Sequence, residues 1–422
     1  MTHEIVPAGL AAEQMTESTA EARGGRVRFT GGRGELLGII LRGYLLMIPT
    51  IGLYRFWQAT WKRRFYWQNT VIDGEPLEYT GTASQLLLGF FFALAFFLPI
   101  YIGLFVLSMQ ETDYLLIGYL VVGAVLWFLA GYAIYRARDF RMSRTLWRGI
   151  RFDQRGNALA YALRRFLWSL AMIPTLGLIY PWMAASLWRY RWRNSWYGDR
   201  RFEIGGNWRV IAGAYYPAYF LNAIALIATA AWISSTNDLV AFGELIIPGP
   251  IGLALCVVCV LVLAFSLAFY RTRVASRMLS TVSLGEAKLS MKIGTGALFG
   301  QFVIYLFALI GLLIVLGLAA LIAIGGIYAA AAAGGQTPDV EAVVSMFGSG
   351  TANVLVLILV YLVVLGAFGM LAELILGLGW WKLLAHGATI EKPESLATVA
   401  ATAEDRALVG QGLADALNVG AY

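Results

Sequence analysis

Apolar positions along this chain fall in long unbroken blocks, not in the every-second or every-third-and-fourth patterns of a soluble fold. Six blocks run over residues 84–109, 113–135, 208–234, 242–270, 296–328 and 353–381. Each can cross about 30 Å of hydrocarbon at ~1.5 Å per residue. They come in pairs joined by short links: residues 110–113, a loop with Asp238 and Glu244, and a glycine-rich loop with Asp339 and Glu341. The pattern predicts an all-α polytopic membrane protein built from three transmembrane helical hairpins.

Two further apolar segments are interrupted. One carries Pro49, Thr50, Gly52 and Trp57; the other carries Pro174, Thr175, Gly177 and Trp182, each 125 residues later. Arg64, Trp67 and Asn69 recur at the same offset as Arg189, Trp192 and Asn194, which reads as an internal repeat. Proline followed three residues on by glycine breaks a helix in mid-segment. Both segments have basic flanks on both sides, so each is expected to enter and leave from one face. That makes them re-entrant or interfacial broken helices, the second with two arms of roughly 15 Å between 166 and 188. Two ordinary spanning helices are the rival reading.

Where the apolar blocks stop, the pattern shifts to alternation around turn residues. Asp73-Gly74 lies within 69–79, and Arg148-Gly149, Gly198-Asp199 and Gly285-Glu286 occupy similar settings. Such dipeptides between alternating segments predict short β-hairpins. Each hairpin precedes a helix start with a plausible cap, such as Thr82 with Gln85, or Asn207. The expectation is a small cytoplasmic β layer tying the membrane helices together. The chain then divides into a disordered cytoplasmic tail (1–25), three repeats (26–135, 136–270 and 271–384) and a cytoplasmic C-terminal tail (385–422).

Charge fixes the orientation. The net charge is +7, yet no Lys or Arg occurs within 65–135, 210–270 or 293–381. By the positive-inside rule the links face outward and both termini face the cytoplasm, in a bacterial inner membrane. Composition agrees: 59% of residues are hydrophobic and 14% charged, against about 25% charged in a soluble domain. The basic residues hug the membrane edge, so the partners implied are membrane lipids and not nucleic acid. A partner protein could meet the C-terminal tail.

Together these residues resemble the YjgN-like family of bacterial inner-membrane proteins of unknown function. The resemblance rests on Arg28-Phe29-Thr30-Gly31, on Pro49-Thr50-x-Gly52-Leu53-Tyr54-x-x-Trp57, and on Asn69-Thr70-x-x-x-Gly74. It recurs at Thr175-Leu176-Gly177-Leu178, Pro181-Trp182 and Asn194-Ser195. Arg55 and Gln58 stand where a proline and a small residue are expected, which implies a remodelled first copy. The resemblance carries over no activity, substrate or site.

Candidate chemistry is sparse. No nucleotide-binding, hydrolase or metalloprotease motif is present, so neither catalysis nor a cofactor is expected, and two histidines exclude a histidine-rich metal centre. Cys256 and Cys259 sit in an apolar run and read as packing residues. Glu373, flanked by apolar residues, is the strongest intramembrane candidate, because a carboxylate in a bilayer is expensive. Unpaired, it would be largely neutral and could carry a proton; otherwise it pairs, with Lys382 the first choice. Arg42 is expected to snorkel to lipid phosphate, and Asn222 to bond between helices. Lys62, Arg63 and Arg64 with Arg189, Arg191 and Arg193, interleaved with tryptophan, are candidate lipid-phosphate contacts. The leading expectation is a transporter-like or channel-like protein for a small solute or lipid; the alternative is a non-catalytic scaffold organising anionic lipid or a partner protein at the cytoplasmic face.

Overall fold

The structure, a computed structural model, describes residues 25–109, 115–236, 239–242, 245–333 and 351–402. The outward links at 110–113, Asp238, Glu244, Asp339 and Glu341 lie outside those residues. In chain order the helices are α1 (Arg33–Met47), α2 (Arg55–Gln68), α3 (Ala83–Ser108), α4 (Leu115–Ser143), α5 (Ala158–Met172) and α6 (Tyr180–Arg193). They continue with α7 (Trp208–Thr236), α8 (Pro250–Leu279), α9 (Thr295–Ala333) and α10 (Thr351–Ala372). A π-helical turn, Glu373–Gly377, joins α10 to α11 (Leu378–Gly387). Six of these helical stretches are long and apolar enough to cross a membrane, as the blocks predict. The anticipated caps are in place: Thr82 and Gln85 form a capping box, and Asn207 Oδ1 accepts the Arg209 N–H at 2.9 Å.

The two interrupted segments are helical hairpins, α1–α2 and α5–α6, and neither is a continuous span. Their arms hold 15 and 14 residues, so each is about 20 Å long, longer than the two half-depth arms expected. Gln58 on α2 donates to Ile40 O of α1 at 3.1 Å, and Tyr190 on α6 donates to Asn157 O at 2.8 Å. Contacts this far from the tips require antiparallel arms, so each hairpin returns to the face it left. Gly43 makes room for Gln58, since a Cβ there would meet its amide nitrogen at 2.3 Å.

Fourteen strands among the described residues complete the fold. Four hairpins form as expected: β2 (Thr70–Ile72) with β3 (Glu75–Pro76), β5 (Thr145–Trp147) with β6 (Ile150–Gln154), β7 (Ser195–Tyr197) with β8 (Arg200–Arg201), and β12 (Val282–Leu284) with β13 (Ala287–Met291). The first two turn through paired positive φ angles at Asp73-Gly74 and Arg148-Gly149, the geometry a two-residue hairpin needs. The expected layer closes on itself. β3 bends into β4 (Glu78–Tyr79), which pairs with β5, and β8 bends into β9 (Glu203–Ile204), which pairs with β12. β6 pairs with β7, β13 with β14 (Ala388–Glu391), and β1 (Val27–Phe29) with β2. The Arg26–Thr389 bridge and the Ile390 N–H on Gly25 O (2.8 Å) join β14 to β1. The result is an antiparallel β ring, closed by strand pairing and by the two bends. Residues 388–391, placed by sequence in the C-terminal tail, are part of it. A separate ribbon of β10 (Leu239–Phe242) and β11 (Leu245–Pro248) stands at the opposite end, between α7 and α8.

Above the ring the helices form a second closed circuit, each packing on the next and α10 with its π turn returning to α1. The core lies at the junction of the two. Leu36, Ile40, Phe65, Tyr66 and Leu378 pack under the first hairpin, and Trp147, Tyr197, Leu284 and Leu396 pack inside the ring. The spans bury far less: at most 22% of the most apolar window in any of them.

Candidate functional site

Glu373 opens the π turn, and such bulges recur at functional positions. Its Oε2 lies 3.2 Å from Lys62 Nζ, and its Oε1 accepts the Tyr66 hydroxyl at 2.8 Å. Both partners come from α2, one turn apart. The carboxylate is therefore paired, not the unpaired proton carrier considered from sequence. Lys382, the partner expected from sequence, instead has its Nζ 5.9 Å from the Phe29 ring centroid. Tyr44 fits between α1 and α10 because Gly366 and Gly369 face it: a Cβ would meet its ring at 3.5 Å or its hydroxyl at 3.1 Å.

The hairpin tips carry the repeated motif. Each passes through two consecutive left-handed residues, Ile51-Gly52 in the first and Leu176-Gly177 in the second. Positive φ is a genuine outlier for β-branched Ile51, and the hydrogen bonds around it show what holds it. Thr50 Oγ1 donates to Leu46 O at 2.6 Å and accepts the Tyr54 N–H at 3.1 Å. Thr175 Oγ1 donates to Ala171 O at 2.8 Å, and Gly52 and Gly177 N–H reach back to Met47 and Met172 O. Pro49 and Pro174 precede these turns. Outside them sit apolar side chains, Ile51 92% exposed and Leu176 77%, a surface suited to hydrocarbon.

Among the described residues, only the second tip is pinned from outside. Tyr215, Tyr216 and Tyr219 of α7 donate to Gly177 O (3.0 Å), Leu178 O (3.0 Å) and Leu176 O (2.8 Å). Irregular backbone at membrane depth needs such partners. The corresponding positions of α3 are Phe90, Phe91 and Leu94, which have no hydroxyl to offer. Sequence reasoning missed this set, although Tyr215-Tyr216-x-x-Tyr219 lies on one helical face. Trp182 stacks on Trp208 at 4.3 Å, and Trp57 on Tyr54 at 6.1 Å.

The basic candidates divide. Lys62 is taken by Glu373, Arg63 Nη1 donates to Tyr79 OH at 3.1 Å, and Arg64 lies over the Trp61 ring and reaches Gly81 O. Arg191 stacks over Trp188, its buried Nε without a hydrogen-bond partner. Arg42, Arg189 and Arg193 are exposed and make no ion pair among the described residues. Asn222 does not act as expected: its buried Oδ1 meets no donor. Cys259 does pack as expected, against Thr229 Oγ1 at 3.0 Å and Ala225 O at 3.2 Å.

The β ring encloses a cavity of about 400 Å³. Val27, Ile72, Phe152, Tyr197, Leu284 and Leu289 line its wall. Trp67, Trp192 and Trp381 line its helix side, and Leu396, on a 3-10 turn (Pro393–Thr398), lines the other. Burial pushes the Tyr197 phenol up to about 12, and its hydroxyl donates to Trp147 O at 2.9 Å. Residues 24–324, most of the helices and nearly all of the ring, match a family described as bacterial protein of unknown function (DUF898). The chain belongs to this family. No curated protein and no solved structure matches it. Membership and the six apolar helices make it a multi-pass bacterial membrane protein. The family match stops short of Glu373 and of β14, which closes the ring.

Proposed function

We propose that this family member is a non-catalytic scaffold of the bacterial inner membrane, with both termini and the β ring in the cytoplasm. The observation that carries this reading is where the buried structure lies: core and ring sit at the basic end, while the spans bury little. The ring draws a strand from before or after every helical hairpin, so it ties the three membrane units into one body. The two short hairpins, with the same tip hydrogen bonds 125 residues apart, are copies of one repeated unit that dips into the cytoplasmic leaflet. Exposed Arg42, Arg189 and Arg193 then meet anionic lipid phosphates, each worth about 1 kcal/mol near such a surface. A solute pathway would need polar groups open at mid-membrane, and Glu373, its best candidate, is instead held by Lys62 and Tyr66.

The test is thermal unfolding in nanodiscs of phosphatidylcholine with and without phosphatidylglycerol. The anionic lipid should raise Tm, and Arg42→Gln, Arg189→Gln and Arg193→Gln together should abolish the increase. An increase that survives the triple variant would remove lipid phosphate from the account.

A further inference from the structure

Arg138 is the feature of the ring that the scaffold reading leaves unused. It projects from the last turns of α4 to the helix-side rim of the cavity, which it helps line. Its Nη1 donates to Gln154 Oε1, to Ser195 Oγ (2.9 Å) and to Arg191 O (3.5 Å), and its guanidinium lies 5.3 Å from the Trp192 ring centroid. Gln154 ends β6 and Ser195 begins β7, so the cation is held where the ring meets the helices.

No carboxylate pairs with Arg138 among the described residues, and the like charges of Arg191 and Arg141 act on it. Arg138 is half-buried, and even a partly desolvated charge without a counter-charge is costly, the more so beside a like charge. Two more buried polar atoms stand idle around the same space. Arg191 Nε has no hydrogen-bond partner, nor has the indole Nε1 of Trp147, a cavity-lining residue 3% exposed. Native proteins leave few such groups, and each asks for a missing partner. Apart from Thr145, Ser283 and Lys288, the rest of the cavity wall is apolar.

A cationic rim above an apolar, ring-walled cavity matches one ligand chemistry. We propose that the β ring binds one single-chain anionic amphiphile, its carboxylate or phosphate at Arg138 and Arg191 and its acyl chain in the ring. A volume of about 400 Å³ is in the range of small-molecule sites. It would hold on the order of a dozen methylenes if each takes roughly the ~30 Å³ share of a water molecule. The far side is fastened by Arg200, which bonds Ser395 O and Thr398 Oγ1, so the chain enters from the helix side, next to the bilayer. The site lies inside the ring and does not depend on the exposed arginines of the scaffold reading.

Binding of palmitate, lysophosphatidylglycerol and uncharged hexadecanol to the purified full-length protein, measured by native mass spectrometry and by the ligand-induced shift in Tm, tests this. One equivalent of a single-chain anion should bind, at least ~10-fold more tightly than hexadecanol. The preference between palmitate and the lysolipid tells a free fatty acid from a lipid-derived ligand. Arg138→Gln should weaken binding ~10-fold or more, Arg138→Lys should restore part of it, and Ala287→Phe, which fills the cavity, should abolish it. Arg42→Gln should leave it unchanged even if the lipid dependence of stability is lost. Equal binding of hexadecanol, undiminished binding to Ala287→Phe in folded protein, or no binding at all would overturn the proposal. Binding seen only after removal of residues 403–422 would assign the cavity to the chain's own tail and overturn it equally.

Discussion

Lys62 and Glu373 stand 311 positions apart in the chain, and their Nζ and Oε2 atoms meet at 3.2 Å. The pair fastens the end of the third membrane unit to the first hairpin, at the point where the helical circuit closes. Its side chains are only partly exposed, so it contributes more than a surface ion pair. Glu373→Ala strands Lys62 and Tyr66 together and should lower stability by about 2–3 kcal/mol, whereas Glu373→Gln keeps an acceptor for Tyr66 and should cost about half as much. Denaturant unfolding in detergent measures both. Equal losses would show that Tyr66 adds nothing.

The short hairpins make a topological prediction. Leu159 and Arg193 are exposed near the open end of the second hairpin, and Leu176 is exposed at its tip. In a background without Cys256 and Cys259, cysteines at 159 and 193 should react with an impermeant thiol reagent from the same side. A cysteine at 176 should resist it from both. Opposite sidedness of 159 and 193 would mean that this segment crosses the bilayer.

The three tyrosines that hold the second tip should act additively. Each hydroxyl lost in Tyr215→Phe, Tyr216→Phe or Tyr219→Phe should cost about 0.6 kcal/mol, the usual worth of a hydrogen bond between membrane helices, and the triple variant about 2 kcal/mol. A triple variant as stable as the parent would show that lipid and water satisfy those carbonyls equally well.

Two glycines of the ring separate backbone strain from steric conflict. Gly149 has φ +72° and open space where a Cβ would go, so Gly149→Ala should cost about 1–2 kcal/mol. Gly198 has φ +56°, and its Cβ would stand 2.2 Å from Ala400 O, which the ring's own covering segment provides. Gly198→Ala should therefore cost clearly more, because that segment has to move. Comparable Tm losses for the two would show that residues 393–402 do not lie tightly on the ring.

Much of this architecture is written locally. Apolar length marks the spans, and Asp73-Gly74 or Gly285-Glu286 between alternating residues marks the hairpins, because a two-residue turn needs positive φ. Pro174 and Gly177 mark the reversal of the second short hairpin. What stays hidden depends on distance. Ring closure requires Arg26 to meet Thr389, and it requires strands to bend at Leu77, just after Pro76, and at Phe202, where no adjacent proline or glycine signals the bend. Arg138 looks like any other residue of the basic cluster after α4 until Gln154 and Ser195 surround it. Lys62 was legible as a cation but not as the partner of Glu373, since Lys382 is much nearer in sequence and charge alone favours neither.

The central claim is that the basic end, with its β ring, faces the cytoplasm while the links face the periplasm. Its most direct test is labelling of single cysteines at Arg148, exposed on the turn between β5 and β6, and at Asp238, in the second link, with an impermeant thiol reagent on intact spheroplasts and after permeabilisation. The account predicts that Asp238→Cys is labelled in intact cells and Arg148→Cys only once the membrane is opened. Labelling of Arg148→Cys in intact cells, with Asp238→Cys protected until permeabilisation, would contradict it.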